Sequence, residues 1–271
     1  MMVRIQFIYK SNRMEIVHYV VEGGIAYITM NRPEKKNALS AALIEALTSS
    51  FQQAAKDVEV KIIILKAEGD VFCSGADLDH LKQLQHYTFE ENQIDSNRLK
   101  DLFELIYTLP KVVIAQVQGS ALAGGCGLVN VCDFSFAVPS AKLGYTEVRI
   151  GFIPAIVMVF LIRKIGDAKA RKLVLTAELI SANDAKEIGL LTDVVGTEEL
   201  SKFVSDFANK LIRQNSTQAM GLTKQMLAHV PALSLDQALA YASKMNATAR
   251  ATEDCQKGIA AFLNKQPISW S

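Results

Sequence analysis

Little in this chain points to a special environment. Its 271 residues include four cysteines, Cys73, Cys126, Cys132 and Cys255, and no CxxC pair. A chain of this length, half of it hydrophobic, buries a large core without disulfide staples, so reduced thiols are expected. No apolar run approaches the ~20 residues of a membrane span, and the N-terminal stretch MMVRIQFIYKSNRM has neither the apolar core nor the cleavage site of a secretory signal. It is also short and strand-like, unlike a transit peptide. The expectation is a soluble, cytoplasmic protein. Charge is nearly balanced, with 29 basic against 28 acidic residues and a net charge of +1, which argues against nucleic acid as the main partner. His18, His80, His86 and His229 form no HExxH or paired spacing, so no metal site is expected. Neither a P-loop nor a GxGxxG of Rossmann spacing occurs, and no low-complexity segment or clear repeat is visible.

What is present reads as alternating α/β. Ile16 to Val21 and Ile25 to Met30 flank Glu22-Gly23-Gly24 as a hairpin, and Ser40 is placed to cap a helix carrying Leu43, Ile44, Leu47 and Phe51 to about Asp57. Further strands are expected at 61–65, 112–117 and 134–138. Repeated strand-strand-helix turns fit this order better than a helix bundle. Asp79 to Ser96 is polar and reads as a mobile connection over the site, with helical periodicity returning from Leu99 to Thr108. After Pro154 the pattern is helical, near 156–164, 168–176, 182–188, 198–213, 216–228, 234–250 and 253–264.

The most informative stretch is Gln118 to Pro154. A strand delivers the chain into Gly119, Gly124, Gly125 and Gly127, after which Leu128 to Cys132 reads as the opening of a buried helix. Backbone N–H groups at a helix start, unshielded by side chains, stabilise negative oxygen. Glu147 follows as a proton carrier. An oxyanion site and a carboxylate suit chemistry beside a thioester carbonyl, where charge builds on oxygen while a proton joins or leaves carbon.

Asn31-Arg32-Pro33 with Asn37-Ala38-Leu39, Phe72 to Leu78 (FCSGADL), Gly119 to Leu128, Cys132-Asp133, Leu143 to Glu147 and Ile153-Pro154 occur in the order found in the crotonase family of enoyl-CoA hydratases and isomerases, which nearly the whole chain resembles. Ile180 to Gly189 and Asp254 to Phe262 resemble its later helices. The resemblance implies a ββα spiral core, residues 1–195, with a C-terminal helical trimerisation region, residues 196–271, in a homotrimer or dimer of trimers. It implies catalytic roles for Ala76 and Gly124, whose N–H groups hold the thioester oxygen, and for Glu147. Ser74 matches a position that meets the adenine of CoA. Lys35 and Lys36 lie where CoA phosphates are met, and Phe262 and Lys265 are placed to reach a neighbouring subunit's CoA. Asp77 and Asp133 read as structural partners. No cofactor is implied beyond the coenzyme A of the substrate itself.

Two departures bear on function. The second glutamate of family hydratases is replaced by Gly127, leaving Glu147 alone unless Asp79, His80, Glu90, Glu91 or Asp95 anchors a water. A glutamate introduced at 127 is expected to face the acyl site. The second departure is Ala155 to Phe160, large and apolar where the family has a Gly-rich run; these residues read as core, or as a narrowed acyl pocket. The favoured reading is hydration of a short or branched 2-enoyl-CoA, methylglutaconyl-CoA being one branched substrate to test. The alternatives are an enoyl-CoA isomerase using Glu147 alone and an acyl-CoA-binding protein that has lost its chemistry.

Overall fold

The computed structural model describes residues 4–5 and 16–270. The stretch read as lacking a leader lies outside the described residues, apart from Arg4 and Ile5. In chain order, β1 (Arg4–Ile5), β2 (Val17–Glu22) and β3 (Ile25–Met30) lead to α1 (Ala41–Lys56). β4 (Ile62–Ala67) and β5 (Val71–Cys73) precede α2 (Leu78–Leu84) and α3 (Phe89–Thr108). β6 (Val112–Val117) and β7 (Ser120–Leu122) run into α4 (Gly124–Val131). β8 (Phe134–Ala137) and β9 (Lys142–Gly144) are followed by α5 (Ala155–Ile165) and α6 (Asp167–Thr176). β10 (Ile180–Ser181), α7 (Ala182–Glu187) and β11 (Asp193–Val194) precede the helices α8 (Leu200–Gln214), α9 (Thr217–His229), α10 (Leu235–Arg250) and α11 (Glu253–Leu263).

Strand order is β1-β2-β3-β4-β6-β8-β11 in one sheet and β10-β9-β7-β5 in the other. Each of the pairs β4–β5, β6–β7 and β8–β9 therefore contributes one strand to each sheet before a helix returns the chain, the strand-strand-helix repeat expected. The pairings β3–β4, β4–β6 and β6–β8 are parallel. Residues 62–65 are buried throughout, as suits a parallel strand covered on both faces and explains its unbroken Ile-Ile-Ile-Leu run. The hairpin turns at Gly23 and Gly24, both at positive φ, as a two-residue turn between right-twisting strands requires. Ser40 accepts from the Leu43 N–H, and α1 buries Leu43, Ile44, Leu47, Phe51 and Ala54.

Two expectations need correction. The segment 79–96 is helical: α2 and α3 cover most of it. Asp77 caps α2 by accepting from the Asp79 and His80 N–H groups, and a reciprocal Thr88–Glu91 capping box opens α3. The exposed first half of α3 has no apolar stripe, which is why periodicity became legible only at Leu99. The second correction concerns α4, which opens at Gly124 and has ended by Cys132.

A polar network holds the NRP to NAL segment against the turn after β5. Arg32 donates to Ala38 O, Ser40 Oγ and Asp77 Oδ2, the last at 3.0 Å. The Asn37 amide donates to Glu68 O and Val71 O and accepts from the Arg32 N–H. Burial by itself would raise the Asp77 pKa; hydrogen bonds from the Asp79 N–H, Arg32 and the His80 N–H outweigh it and hold the carboxyl below its usual range. Asp133 accepts from the Val113 N–H and pairs with buried Lys224 at 2.8 Å. Both aspartates are the structural partners expected. No helix of the described residues is long and apolar enough to cross a membrane, and no cluster of three metal-ligating side chains occurs among them.

Asp77→Ala should destabilise the protein by about 3 kcal/mol at pH 7, since it removes a helix cap and leaves Arg32 without its carboxylate. A carboxylate with a depressed folded pKa stabilises above its unfolded value and loses that contribution as pH falls through the folded one. Urea unfolding should therefore show the gap between wild type and variant narrowing as pH falls below the usual aspartate range.

Candidate active site

The site is assembled where the turn after β5 meets the start of α4. Gly75 has φ of +94°, and a Cβ there would lie 3.0 Å from the Ala123 Cβ and 3.2 Å from Leu122 O. A Cβ on Gly125 would lie 2.4 Å from Cys73 O. Glycine at both positions lets the two backbones touch. Leu39 bridges them: its N–H donates to Gly75 O and its carbonyl accepts from the Asp77 N–H, which leaves the Ala76 N–H pointing elsewhere. Ala123 is strained, with φ 50° and ψ −124°, a conformation that non-glycine residues avoid. Its own N–H donates to Gly144 O at 2.8 Å, and the first helical bond of α4 runs from the Gly127 N–H to Ala123 O. The amides of Gly124, Gly125 and Cys126 are thus the unsatisfied helix-start donors, and Ala76 and Gly124 both retain solvent access. Among the described residues neither the Ala76 nor the Gly124 N–H donates to a backbone carbonyl. At the other end of α4, Lys164 donates to Asn130 O and Cys132 O, each at 3.0 Å, placing a cation at the negative end of the helix dipole.

A cleft of about 700 Å³ lies against the turn after β5, with Lys35, Lys36, Ser74, Ala76, Leu81 and Lys82 among its walls; Gly124 and Glu147 do not line it. The structure therefore brings Ala76, Ser74 and Lys36 together. A larger groove, about 910 Å³, lies beside α8, α9 and α11, and none of the predicted site residues lines it. Phe262 is 83% exposed on α11, and neither it nor Lys265 lines the cleft. The acidic candidates for a water anchor are engaged elsewhere: Asp79 pairs with Lys35 and Lys82, His80 with Asp95 at 3.0 Å, and Glu91 with the cap of α3, while Glu90 is exposed.

Glu147 opens a 3-10 turn, Glu147–Ile150, just after β9. It is half-buried, and its Oε2 is enclosed without a hydrogen-bond partner among the described residues. Burial raises its pKa, opposed by a hydrogen bond from its own N–H. Burial above all holds the protons on Cys126 and Tyr145, which lie against each other; the nearby Glu147 charge adds to it. The arrangement is a carboxyl whose proton is held more tightly than in water, near a helix start with free amides. Sequence reasoning missed Ala123, Tyr145 and Phe103; the strained φ of Ala123 leaves no compositional trace, and the other two read as ordinary core aromatics.

The enoyl-CoA hydratase/isomerase family model matches residues 21–271. The chain belongs to that family. A putative enoyl-CoA hydratase of Thermus thermophilus is 36% identical over 248 residues, covering 92% of this chain and 98% of the relative. The short-chain-enoyl-CoA hydratase of Clostridium acetobutylicum is 32% identical, covering 94% and 98%. Among solved structures, a putative enoyl-CoA hydratase/isomerase (crotonase) from Legionella pneumophila superposes with a TM-score of 0.86 at 32% identity, covering 96% of this chain and all of the other. The α/β crotonase fold with its C-terminal helices is therefore established.

Against that family background, the expectation for position 127 is corrected. A Cβ on Gly127 would lie 2.5 Å from Val157 Cγ1 and 2.7 Å from Phe103 Cε2. Phe103 is fully buried, and its ring meets Phe160 edge-on at 6.2 Å. Apolar side chains thus fill the space that an added carboxylate would need. Of the run at 155–160, Val157 is core and Ile156 and Phe160 pack on it, whereas Val159 is about half exposed. Gly127→Glu should destabilise the fold by roughly 3 kcal/mol or more, through overpacking and a buried charge, which denaturant unfolding measures.

Proposed function

We propose that this chain is an enoyl-CoA hydratase acting on short or branched 2-enoyl-CoA thioesters through one carboxylate. The observation that carries the reading is Glu147, half-buried with a raised pKa beside the free amides at the start of α4. The activities named for the Thermus thermophilus and Clostridium acetobutylicum relatives support hydration. In this reading the thioester oxygen accepts from the Ala76 and Gly124 N–H groups. Ionised Glu147 takes a proton from water as the water oxygen bonds to C3, and the displaced π electrons move through C2 onto the thioester oxygen. Protonated Glu147 then returns its proton to C2, restoring the thioester and the ionised carboxylate. Lys35, Lys36 and Lys82 offer cations to CoA phosphates along the cleft, and Ser74 meets the adenine end.

The packing of Phe103 and Val157 over Gly127 favours a second reading, because it leaves no second carboxylate to hold water. Glu147 would then take a proton from C2 of a 3-enoyl-CoA and return it to C4, moving the double bond. Incubation with 2-enoyl- and 3-enoyl-CoA panels, branched members included, separates the readings by product. A 3-hydroxyacyl-CoA supports hydration and a migrated double bond supports isomerisation. Unchanged thioesters with measurable CoA binding would mean a binding protein. Glu147→Gln should lower turnover by at least ~10²-fold with little change in acyl-CoA affinity. It should melt no lower than wild type at neutral pH, since a carboxylate with a raised folded pKa is penalised once pH exceeds its unfolded value.

The proposal includes a homotrimer or dimer of trimers, in which Phe262 and Lys265 reach the CoA of a neighbouring subunit. Exposed Phe262, Leu263 and Ile259 on α11 are the apolar surface that supports it. Sedimentation should show three or six chains per particle, and a monomer at micromolar concentration would remove it.

A further inference from the structure

The cleft beside Ser74 and Ala76 has one wall that the core does not hold. Leu78, Leu81, Lys82 and Gln85 line it at spacings of i, i+3, i+4 and i+7, so a single face of α2 and its C-cap supplies that wall. α2 is seven residues long and buries none of them. Apolar packing therefore does little to fix it, and a segment with so little buried surface opens readily unless something else ties it down. Its first turn is tied by Asp77, which caps the helix and pairs with Arg32.

A second tie lies on the other face of α2. His80, which does not line the cleft, turns to α3, where its Nε2 lies 3.0 Å from Oδ1 and 3.1 Å from Oδ2 of Asp95. Both side chains are largely enclosed, at 10% and 18% exposure. Asp95 continues the inward face of α3 on which Leu99, Leu102, Phe103 and Ile106 pack. Helical spacing alone would put an apolar side chain there, and among the described residues no side chain other than His80 pairs with the carboxylate. The turn joining the two helices is stitched in the same polar manner. The Asn92 amide donates to Tyr87 O and Thr88 O, and the Tyr87 ring meets the His80 imidazole edge-on with centroids 6.5 Å apart.

We propose that His80 and Asp95 are positioning residues for substrate binding: their hydrogen bond latches α2 to α3 and holds Leu81 and Lys82 in place as a wall of the coenzyme A cleft. Neither residue touches the substrate. The inference rests on the reading of this cleft as the coenzyme A site. Asp79 of α2 extends the effect, because it holds Lys35 at 3.1 Å and Lys82 at 3.2 Å, so a displaced α2 disturbs both ammonium groups. A ligand that needs the wall in place binds more weakly in proportion to the fraction of molecules that have it. A wall in register in about a tenth of the molecules weakens binding about tenfold.

The test is calorimetric titration of the full chain with free coenzyme A, alongside thioester kinetics and thermal melting. His80→Ala and Asp95→Ala should each raise Kd about tenfold, and the double variant should bind no more weakly than either single one, because the two side chains act as one tie. KM should rise by a similar factor with kcat within about twofold of wild type. Melting temperatures should stay close to wild type, since α2 adds nothing to the core. His80→Gln, whose amide can still donate to Asp95, should recover most of the affinity and serves as the second variant where alanine impairs folding. Unchanged Kd in both alanine variants, with coenzyme A bound by wild type, would overturn the latch and leave the cleft standing. Losses that add in the double variant, a kcat that falls while Kd holds, or a His80→Gln chain as weak as His80→Ala would overturn it equally. Failure of wild type to bind coenzyme A would overturn the reading of the cleft, and the latch with it.

Discussion

The site depends on backbone touching backbone. Three glycines, Gly75, Gly119 and Gly125, lie where the β5 segment meets the β7–α4 segment, and a Cβ at Gly119 would fall 1.9 Å from Asp70 O. No side chain, however small, fits in such a space. Once the two segments are pressed together, the strained turn at Ala123 follows, and with it the direction in which the first amides of α4 point. Van der Waals contact between main chains thus sets where the first amides of α4 are directed, and the side chains nearby are arranged around that contact.

Polar groups in the interior serve the same end. Arg32, Asn37 and Asp77 bind the loop before α1 to the turn after β5, so that Leu39 and Ala76 keep their register. Lys164, half-buried, and Lys224, buried, each direct their hydrogen bonds mainly to carbonyl oxygens, at the C-terminal end of α4 and around Ile106 and Lys111. Burial lowers the pKa of both, while Asp133 opposes the fall at Lys224. Fully satisfied groups of this kind fix one arrangement of the backbone, because any shift leaves a charge in a dry place.

Much of this was legible beforehand because the relevant rules are local. The unbroken Ile62–Leu65 run, the Gly23-Gly24 turn and the Ser40 cap each follow from a few adjacent residues. The helices after Pro154 were legible from apolar spacing alone. What stayed hidden was set by residues distant in the chain. Asp79 to Ser96 read as a connection because polar composition outweighed its caps, and the caps become decisive only with Asp77 and Thr88 in place. The room at Gly127 depends on Phe103 and Val157, one before it and one well after, so a glycine that looked open in the sequence is closed in space. Glu147 was found by motif, but its burial, which raises its pKa, is set by the folded chain around it and leaves no mark in the motif.

The ring of Phe103 against Gly127 also bears on how such a protein changes over generations. A second carboxylate on α4 cannot be gained in one step from this sequence, because the destination is already occupied from α3. Substitutions that make room at 103 and 157 have to come first. The reverse order passes through a chain that folds poorly. Positions 127, 103 and 157 are therefore coupled: the packing of α3 and α5 decides what side chain α4 can carry there.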